Sequence, residues 1–241
     1  MVSARTWIAA RVADVEDVTP NARVLGVEVP GWPGNLPGQH VDVRLTAEDG
    51  YQAVRSYSLG TSGPSTRIEL AVDAHPEGEV SPYLVHDVVP GDHLEILGPL
   101  GGYFVWRDGD PAPVQLIAGG SGIVPLRAIA RARADAASDQ PFRLLYSVKS
   151  PDDAIYRDDL MAMGEQGIEL TWAFTQHAPE GWPGVVGRLN AETIAAAVLP
   201  VTDAPIVYVC GPTAFVEVVA RRLVELGHDP ARIKTERFGG G

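Results

Sequence analysis

The hydrophobic pattern changes period part-way along the chain, and that change restricts the fold to two successive architectures. From Trp7 to about Trp106, apolar and polar residues alternate in short runs. His40-Val41-Asp42-Val43-Arg44-Leu45 and Arg67-Ile68-Glu69-Leu70-Ala71-Val72-Asp73 have the period of two that half-buried antiparallel strands require. Turn formers separate such runs at Pro30-Gly31-Trp32-Pro33-Gly34, Leu36-Pro37-Gly38, Ser62-Gly63-Pro64 and Pro90-Gly91-Asp92. Strands this short and this closely spaced predict a small barrel. Ser81-Pro82-Tyr83-Leu84 predicts one helical turn, with Ser81 as N-cap and Pro82 at the first helical position.

Past a linker at Arg107-Asp108-Gly109-Asp110-Pro111-Ala112-Pro113, continuous apolar runs replace the alternation. Val114–Ala118, Leu144–Val148, Ile168–Phe174 and Ile206–Val209 read as buried parallel strands. Helices are expected between and after them, near Pro125–Ala137, Tyr156–Met163, Ala191–Val198 and Phe215–Leu226, and Arg232–Phe238 offers a fifth strand. Strands and helices alternating at this spacing imply a doubly wound α/β domain. The expected organisation is a β domain over residues 1–108 and an α/β domain over 112–241, with the chain closing on Gly239-Gly240-Gly241.

Charge and cysteine content exclude several functions. A net charge of -12 repels phosphate backbones, so nucleic acid is not an expected partner. One cysteine rules out a disulfide framework, an all-cysteine zinc site and an iron–sulfur cluster of the chain's own. The six histidines show no metal-ligand spacing, and no metal is expected. Met1 to Val18 carries scattered charges and no apolar core of a signal peptide, and no run is long enough to cross a bilayer. A cytoplasmic monomer without membrane insertion is expected.

Four stretches carry chemistry. In Leu116-Ile117-Ala118-Gly119-Gly120-Ser121-Gly122-Ile123-Val124-Pro125-Leu126 a buried strand runs through glycines into a helix, where backbone N–H groups can meet a pyrophosphate. Pro125 replaces the third glycine of the usual dinucleotide fingerprint, and Ile123 excludes a nucleophile elbow at Ser121. Read alone, the stretch is equally a plain strand-to-helix turn. Cys210-Gly211-Pro212 ends the fourth strand, the end at which open α/β sheets gather ligands, although a lone cysteine is commonly only apolar filler. Arg55-Ser56-Tyr57-Ser58 combines a phosphate-binding cation, a stacking ring and a hydroxyl donor. Gly78-Glu79-Val80-Ser81 is a second glycine leading into a helix start.

The order of these stretches is more specific than any one of them. Arg-x-Tyr-Ser, Gly-x-x-Ser, Gly-Pro-Leu-Gly-Gly-Tyr-Phe (98–104), Gly-Gly-Ser-Gly-x-x-Pro, Cys-Gly-Pro and Glu236-Arg237-Phe238 together resemble the ferredoxin–NADP reductase-like flavoproteins, from about Gly38 to Phe238. The resemblance implies a six-stranded antiparallel flavin-binding barrel followed by a five-stranded parallel NAD(P)-binding domain. By its motifs, Arg55 would hold the flavin phosphate, and Tyr57 and Ser58 would line the isoalloxazine. Val72 is assigned to the same site. Gly78, Val80 and Ser81 would cradle the flavin pyrophosphate. Gly120, Ser121, Gly122 and Pro125 would form the nucleotide pyrophosphate loop. Cys210 would face the nicotinamide in a pocket shaped by Gly211 and Pro212, with Glu236 and Phe238 close to the flavin. Ser58, Cys210 and Glu236 are the expected catalytic residues.

Two departures from the family pattern bear on cofactor and acceptor. Asp73 stands where relatives often place a basic residue, with His75 the nearest substitute; FAD is expected over FMN. Relatives that continue into a ferredoxin domain carry four further cysteines absent from this sequence, so a separate electron-acceptor protein (iron–sulfur, haem or molybdenum) is expected. Ser147 and Lys149, with Arg157 following, resemble the Ser-x-Arg pair of NADP-preferring members, and NADPH is expected over NADH. Arg127, Arg131 and Arg133 are expected to form a solvated helix face, with a docking patch for an acidic acceptor as the alternative. The same motifs would serve a reductase of free flavin or quinone, or a non-catalytic flavin-binding regulatory subunit.

Overall fold

The computed structural model describes residues 6–109, 111–136 and 138–239. The first five residues, Asp110 in the linker, Ala137 at the expected end of a helix, and Gly240-Gly241 lie outside the described residues. The chain divides into two units, Met1–Trp106 and Arg107–Gly241.

The first unit is a six-stranded sheet of β1 (Ile8–Thr19), β2 (Ala22–Glu28), β3 (His40–Thr46), β4 (Gln52–Ser58), β5 (Arg67–Asp73) and β6 (His93–Leu100). Its order is β4-β3-β6-β1-β2-β5, and every pairing is antiparallel. The outer strands meet through a bridge from Leu59 to Leu70, which closes the sheet as a barrel. The alternation read in the sequence sets its inside: Val41 and Val43 of β3, with Ile68, Leu70 and Val72 of β5, are buried in one core with Val12, Leu25 and Ile96. The expected helical turn is present, extends to Asp87 and winds as a π-helix over Tyr83–Asp87. Ser81 does not cap it. Its Oγ accepts from the His75 backbone N–H at 3.0 Å, closing the loop in front of the turn instead.

In the second unit β7 (Val114–Gly119), β8 (Phe142–Val148), β9 (Glu169–Phe174), β10 (Val185–Val186), β11 (Ile206–Pro212) and β12 (Ile233–Phe238) form an all-parallel sheet in the order β10-β9-β8-β7-β11-β12. β10 adds a sixth strand to the five expected, because two residues are too short to carry a period. The helices are α1 (Ile123–Asp135), α2 (Arg157–Glu165), α3 (Ala191–Ala197) and α4 (Thr213–Glu225). Ile117, Leu145, Val207 and Val209 face Ile194, Val216, Val219 and Leu223 of α3 and α4. The alternate residues Leu116, Leu144, Tyr146 and Tyr208 turn to the opposite face, and each is almost fully buried. Buried Gln115 of β7 ties the sheet to the loop after α3, its Oε1 accepting from Leu199 N–H at 2.9 Å.

Candidate active site

The strand order places the chemistry of the second unit. From β7 the chain winds outward through β8, β9 and β10, then returns to lay β11 on the other side of β7. The carboxyl ends of β7 and β11 therefore flank the point where the winding reverses, the crevice in which such sheets hold ligands. The glycine stretch and Cys210-Gly211-Pro212 are the two segments that end there.

Their glycines are required by close packing. After β7 the chain makes a 3-10 turn at Gly120–Gly122 and enters α1 with no side chain capping its N-terminus. A Cβ on Gly122 would fall inside the Cys210 carbonyl and lie 2.7 Å from the Gly211 nitrogen. Cβ atoms on Gly119 and Gly211 would each reach within 2.7 Å of the Phe215 ring. Gly120 differs: its φ of +53° needs glycine for conformation, with open space around the missing Cβ. Pro125 is buried in the first turn of α1, where its missing N–H costs no intrahelical bond.

Cys210 is 2% exposed and lies in register between Ala118 of β7 and Glu236 of β12. Burial pushes its thiol well above the ordinary range; the nearby Glu236 charge raises it further and a backbone hydrogen bond at Gly211 lowers it. The thiol is therefore neutral at physiological pH, which suits it to packing against a ring and not to proton transfer or nucleophilic attack. Phe238 is exposed at the end of β12, beside Pro212 in register.

A groove of about 420 Å³ opens past β8 and β9, lined by Ser150, Pro151, Asp152, Arg157, His177, Ala178 and Pro179. The N–H groups of Gln176 and His177 both donate to the Lys149 carbonyl at 3.0 Å, which fastens the two strand ends together. Lys149 is exposed and makes no ion pair among the described residues. Ser147, by contrast, is buried at 6% exposure between Gly119 and Ala173, and Ser150 is the serine that lines the groove. His177 escaped the sequence reading, although the rule that ligands gather at strand ends points to it. Of the three arginines of α1, Arg127 is buried, Arg133 is half-buried and Arg131 is exposed. Arg127 is buried against Asp159 at 2.5 Å and over the Tyr156 ring, Arg131 shares Asp159 at 3.4 Å, and Arg133 donates to the Gln140 carbonyl.

In the first unit, β4 carries Arg55, Tyr57 and Ser58 at one margin of the sheet, paired with Val43, Val41 and His40 of β3. Tyr57 packs partly on the barrel core, and burial pushes its phenol up, so the ring is neutral and serves as a flat apolar surface. Arg55 is half exposed and holds Glu79 at 3.0 Å, which brings the arginine to the Gly78–Ser81 loop. A Cβ on Gly78 would lie 2.8 Å from Ser81 Oγ and 3.1 Å from the His75 carbonyl, so a side chain here would have to displace the Ser81 hydroxyl. Val80 is fully buried, with its side chain in the barrel core. Val72 is 1% exposed with its side chain in the barrel core, because the alternation of β5 turns it inward with Leu70.

Two family models match the chain, the oxidoreductase FAD-binding domain over residues 9–105 and the oxidoreductase NAD-binding domain over residues 116–221. Ferredoxin–NADP reductase B of Sorangium cellulosum is 31% identical over 95% of this chain and 96% of its own length. The chain belongs to the ferredoxin–NADP reductase-like flavoprotein family. The reductase component of propane 2-monooxygenase from Mycolicibacterium smegmatis is 29% identical over 88% of this chain and 61% of that one. The FAD/NAD-binding domain of nitric oxide dioxygenase from Vibrio cholerae superposes with a TM-score of 0.86 at 25% identity, covering 98% of this chain and all of that one. This family member spans roughly half to two thirds of the length of several curated relatives it matches.

The residues present fit the family's cofactors. The half-exposed Arg55 guanidinium already holds an anionic group, a carboxylate, at 3.0 Å beside the tightly packed Gly78 turn. In the second unit an uncapped helix follows a glycine turn at the sheet's reversal point. Among the described residues no helix is long and apolar enough to cross a membrane, and no cluster of side chains could hold a metal ion.

Proposed function

We propose that this protein is an NADPH-oxidising flavoenzyme that passes electrons through FAD to a separate redox protein bearing an iron–sulfur, haem or molybdenum centre. The observation that carries this reading is the meeting of the Gly120–Gly122 turn with Cys210-Gly211 at the reversal point, in a chain whose other half matches an FAD-binding domain. Bound flavin supplies the chemistry, accepting a hydride from reduced nicotinamide and releasing electrons one at a time. The protein binds, orients and excludes water.

In this reading Arg55 holds a flavin phosphate, while Gly78, Val80 and Ser81 present backbone N–H groups to the pyrophosphate. Tyr57 and Ser58 line the ring system. Arg55 and the Gly78–Ser81 turn lie together, and a diphosphate would use both; with the match to an FAD-binding domain this supports FAD over FMN. Gly120, Ser121 and Gly122 take the nucleotide diphosphate at the start of α1, and Pro125 fixes the direction of that helix. Cys210, Gly211 and Pro212 shape the nicotinamide pocket, with Glu236 and Phe238 at its C-terminal side. NADPH is favoured because Lys149 is exposed without an ion pair and Arg157 and His177 line the adjoining groove. Lys149→Ala is expected to raise the KM for NADPH about tenfold and leave that for NADH within a factor of two, the loss of one charge-assisted contact. Steady-state kinetics with both nucleotides checks this, and equal changes for both would remove Lys149 from nucleotide selection.

The decisive experiment is the visible spectrum of the purified protein, recorded anaerobically before and after NADPH, then NADH. A bound-flavin spectrum that NADPH bleaches more readily than NADH is expected. Failure to take up FAD or FMN would overturn the reading. Bound flavin that neither nucleotide reduces would turn it towards a regulatory subunit.

A further inference from the structure

Glu79 lies between Gly78 and Val80, inside the turn expected to face the flavin pyrophosphate, and both of its carboxylate oxygens are engaged. Oε2 is 3.0 Å from Arg55 Nη2, and Oε1 accepts from the Tyr51 hydroxyl at 3.0 Å. The other terminal nitrogen of Arg55, Nη1, donates to the Val54 carbonyl at 2.8 Å. Carboxylate and phosphate are both acceptor-only anions that seek the same guanidinium donors. The cation assigned to the flavin phosphate is thus already holding an anion supplied by the chain, and Tyr51 keeps that anion in place.

We propose that Glu79 is a specificity-determining residue of the flavin site, a resident anion that competes with the flavin phosphate for Arg55 and so weakens binding of phosphorylated flavins. The inference rests on the flavin reading above. An arriving phosphate has two courses, and both cost free energy. Either Glu79 swings away and loses Arg55 and Tyr51 together, or it stays as a like charge beside the phosphate. Because Arg55 and Glu79 are each about half exposed, at 52% and 49%, solvent screens the pair and the effect is moderate. An effect of about fivefold on the dissociation constant is expected. Riboflavin has the same ring system and no phosphate, so it feels none of this competition.

The test is a fluorescence or calorimetric titration of the full chain, stripped of flavin, with FAD, FMN and riboflavin. Glu79→Gln removes the charge and keeps one amide oxygen that can still accept from Arg55, while its NH2 can donate to the Tyr51 hydroxyl. It is expected to bind FAD and FMN about fivefold more tightly than the parent, with riboflavin affinity unchanged and the gain shrinking at high salt. Tyr51→Phe, which only loosens the carboxylate, is expected to shift affinity the same way by a smaller factor. Unchanged or weaker FAD binding by Glu79→Gln, or an equal gain for riboflavin, would overturn the proposal and leave the flavin reading standing. Absence of flavin binding by both parent and variant would overturn the flavin reading and this inference with it.

Discussion

Gly122→Ala is expected to lower the stability of the second unit by about 3 kcal/mol or more, a fall in its melting temperature of roughly 10 °C. The atoms that the new methyl would strike are the Cys210 carbonyl and the Gly211 nitrogen, main-chain atoms of a central strand. No rotamer change can relieve that contact. β11 is held in register on one side by β7 and on the other by β12, so the loop and the strand end would have to separate. Nucleotide binding should fall with stability, because the displaced segments are the two that border the proposed site. Gly120→Ala is the control: it has open space around the new Cβ but a φ of +53°, and should cost only about 1 kcal/mol. Calorimetric unfolding of both variants decides the matter. Equal losses would show that the glycine turn can move off β11.

Cys210→Ala is expected to slow flavin reduction by NADPH about tenfold to a hundredfold while flavin content stays at the parental level. The sulfur is buried, and removing it leaves a small void beside the proposed nicotinamide pocket. Freedom of about 1 Å in the reacting ring can cost on the order of a hundredfold in rate. Burial, reinforced by Glu236, raises the thiol above its ordinary pKa, so the neutral form is retained well past neutrality. A raised pKa moves thiolate formation to higher pH, and the rate should show no thiolate step between about pH 6 and 9. Stopped-flow reduction at several pH values tests both statements. An unchanged rate in the variant would remove Cys210 from the active site, and a thiolate step lost on substitution would contradict the neutral-thiol assignment.

The period of apolar residues determined which stretches are strands and which are helices. β3, β5, β7 and β8 lie where the alternation or the apolar runs place them, within a residue or two at their ends, since burial of one face or both is written directly into the pattern. β11 runs three residues past its apolar run. The ordered motifs likewise marked the residues of both candidate sites. Tertiary structure alone decided how those residues are engaged. That Gly122 is required by the Cys210 carbonyl depends on a strand almost ninety positions later in the chain, laid beside β7 by the reversal in strand order. Arg127 reads as a surface cation until α2 brings Asp159 to it, and the burial of Val72 in the core follows from the closing of the barrel. Arg55 and Glu79 belong to neighbouring motifs, and only the folded barrel pairs them. Local period and motif order follow from each residue's own burial and chemistry, whereas charge pairing and close backbone approach depend on partners distant in the chain, which no local pattern encodes.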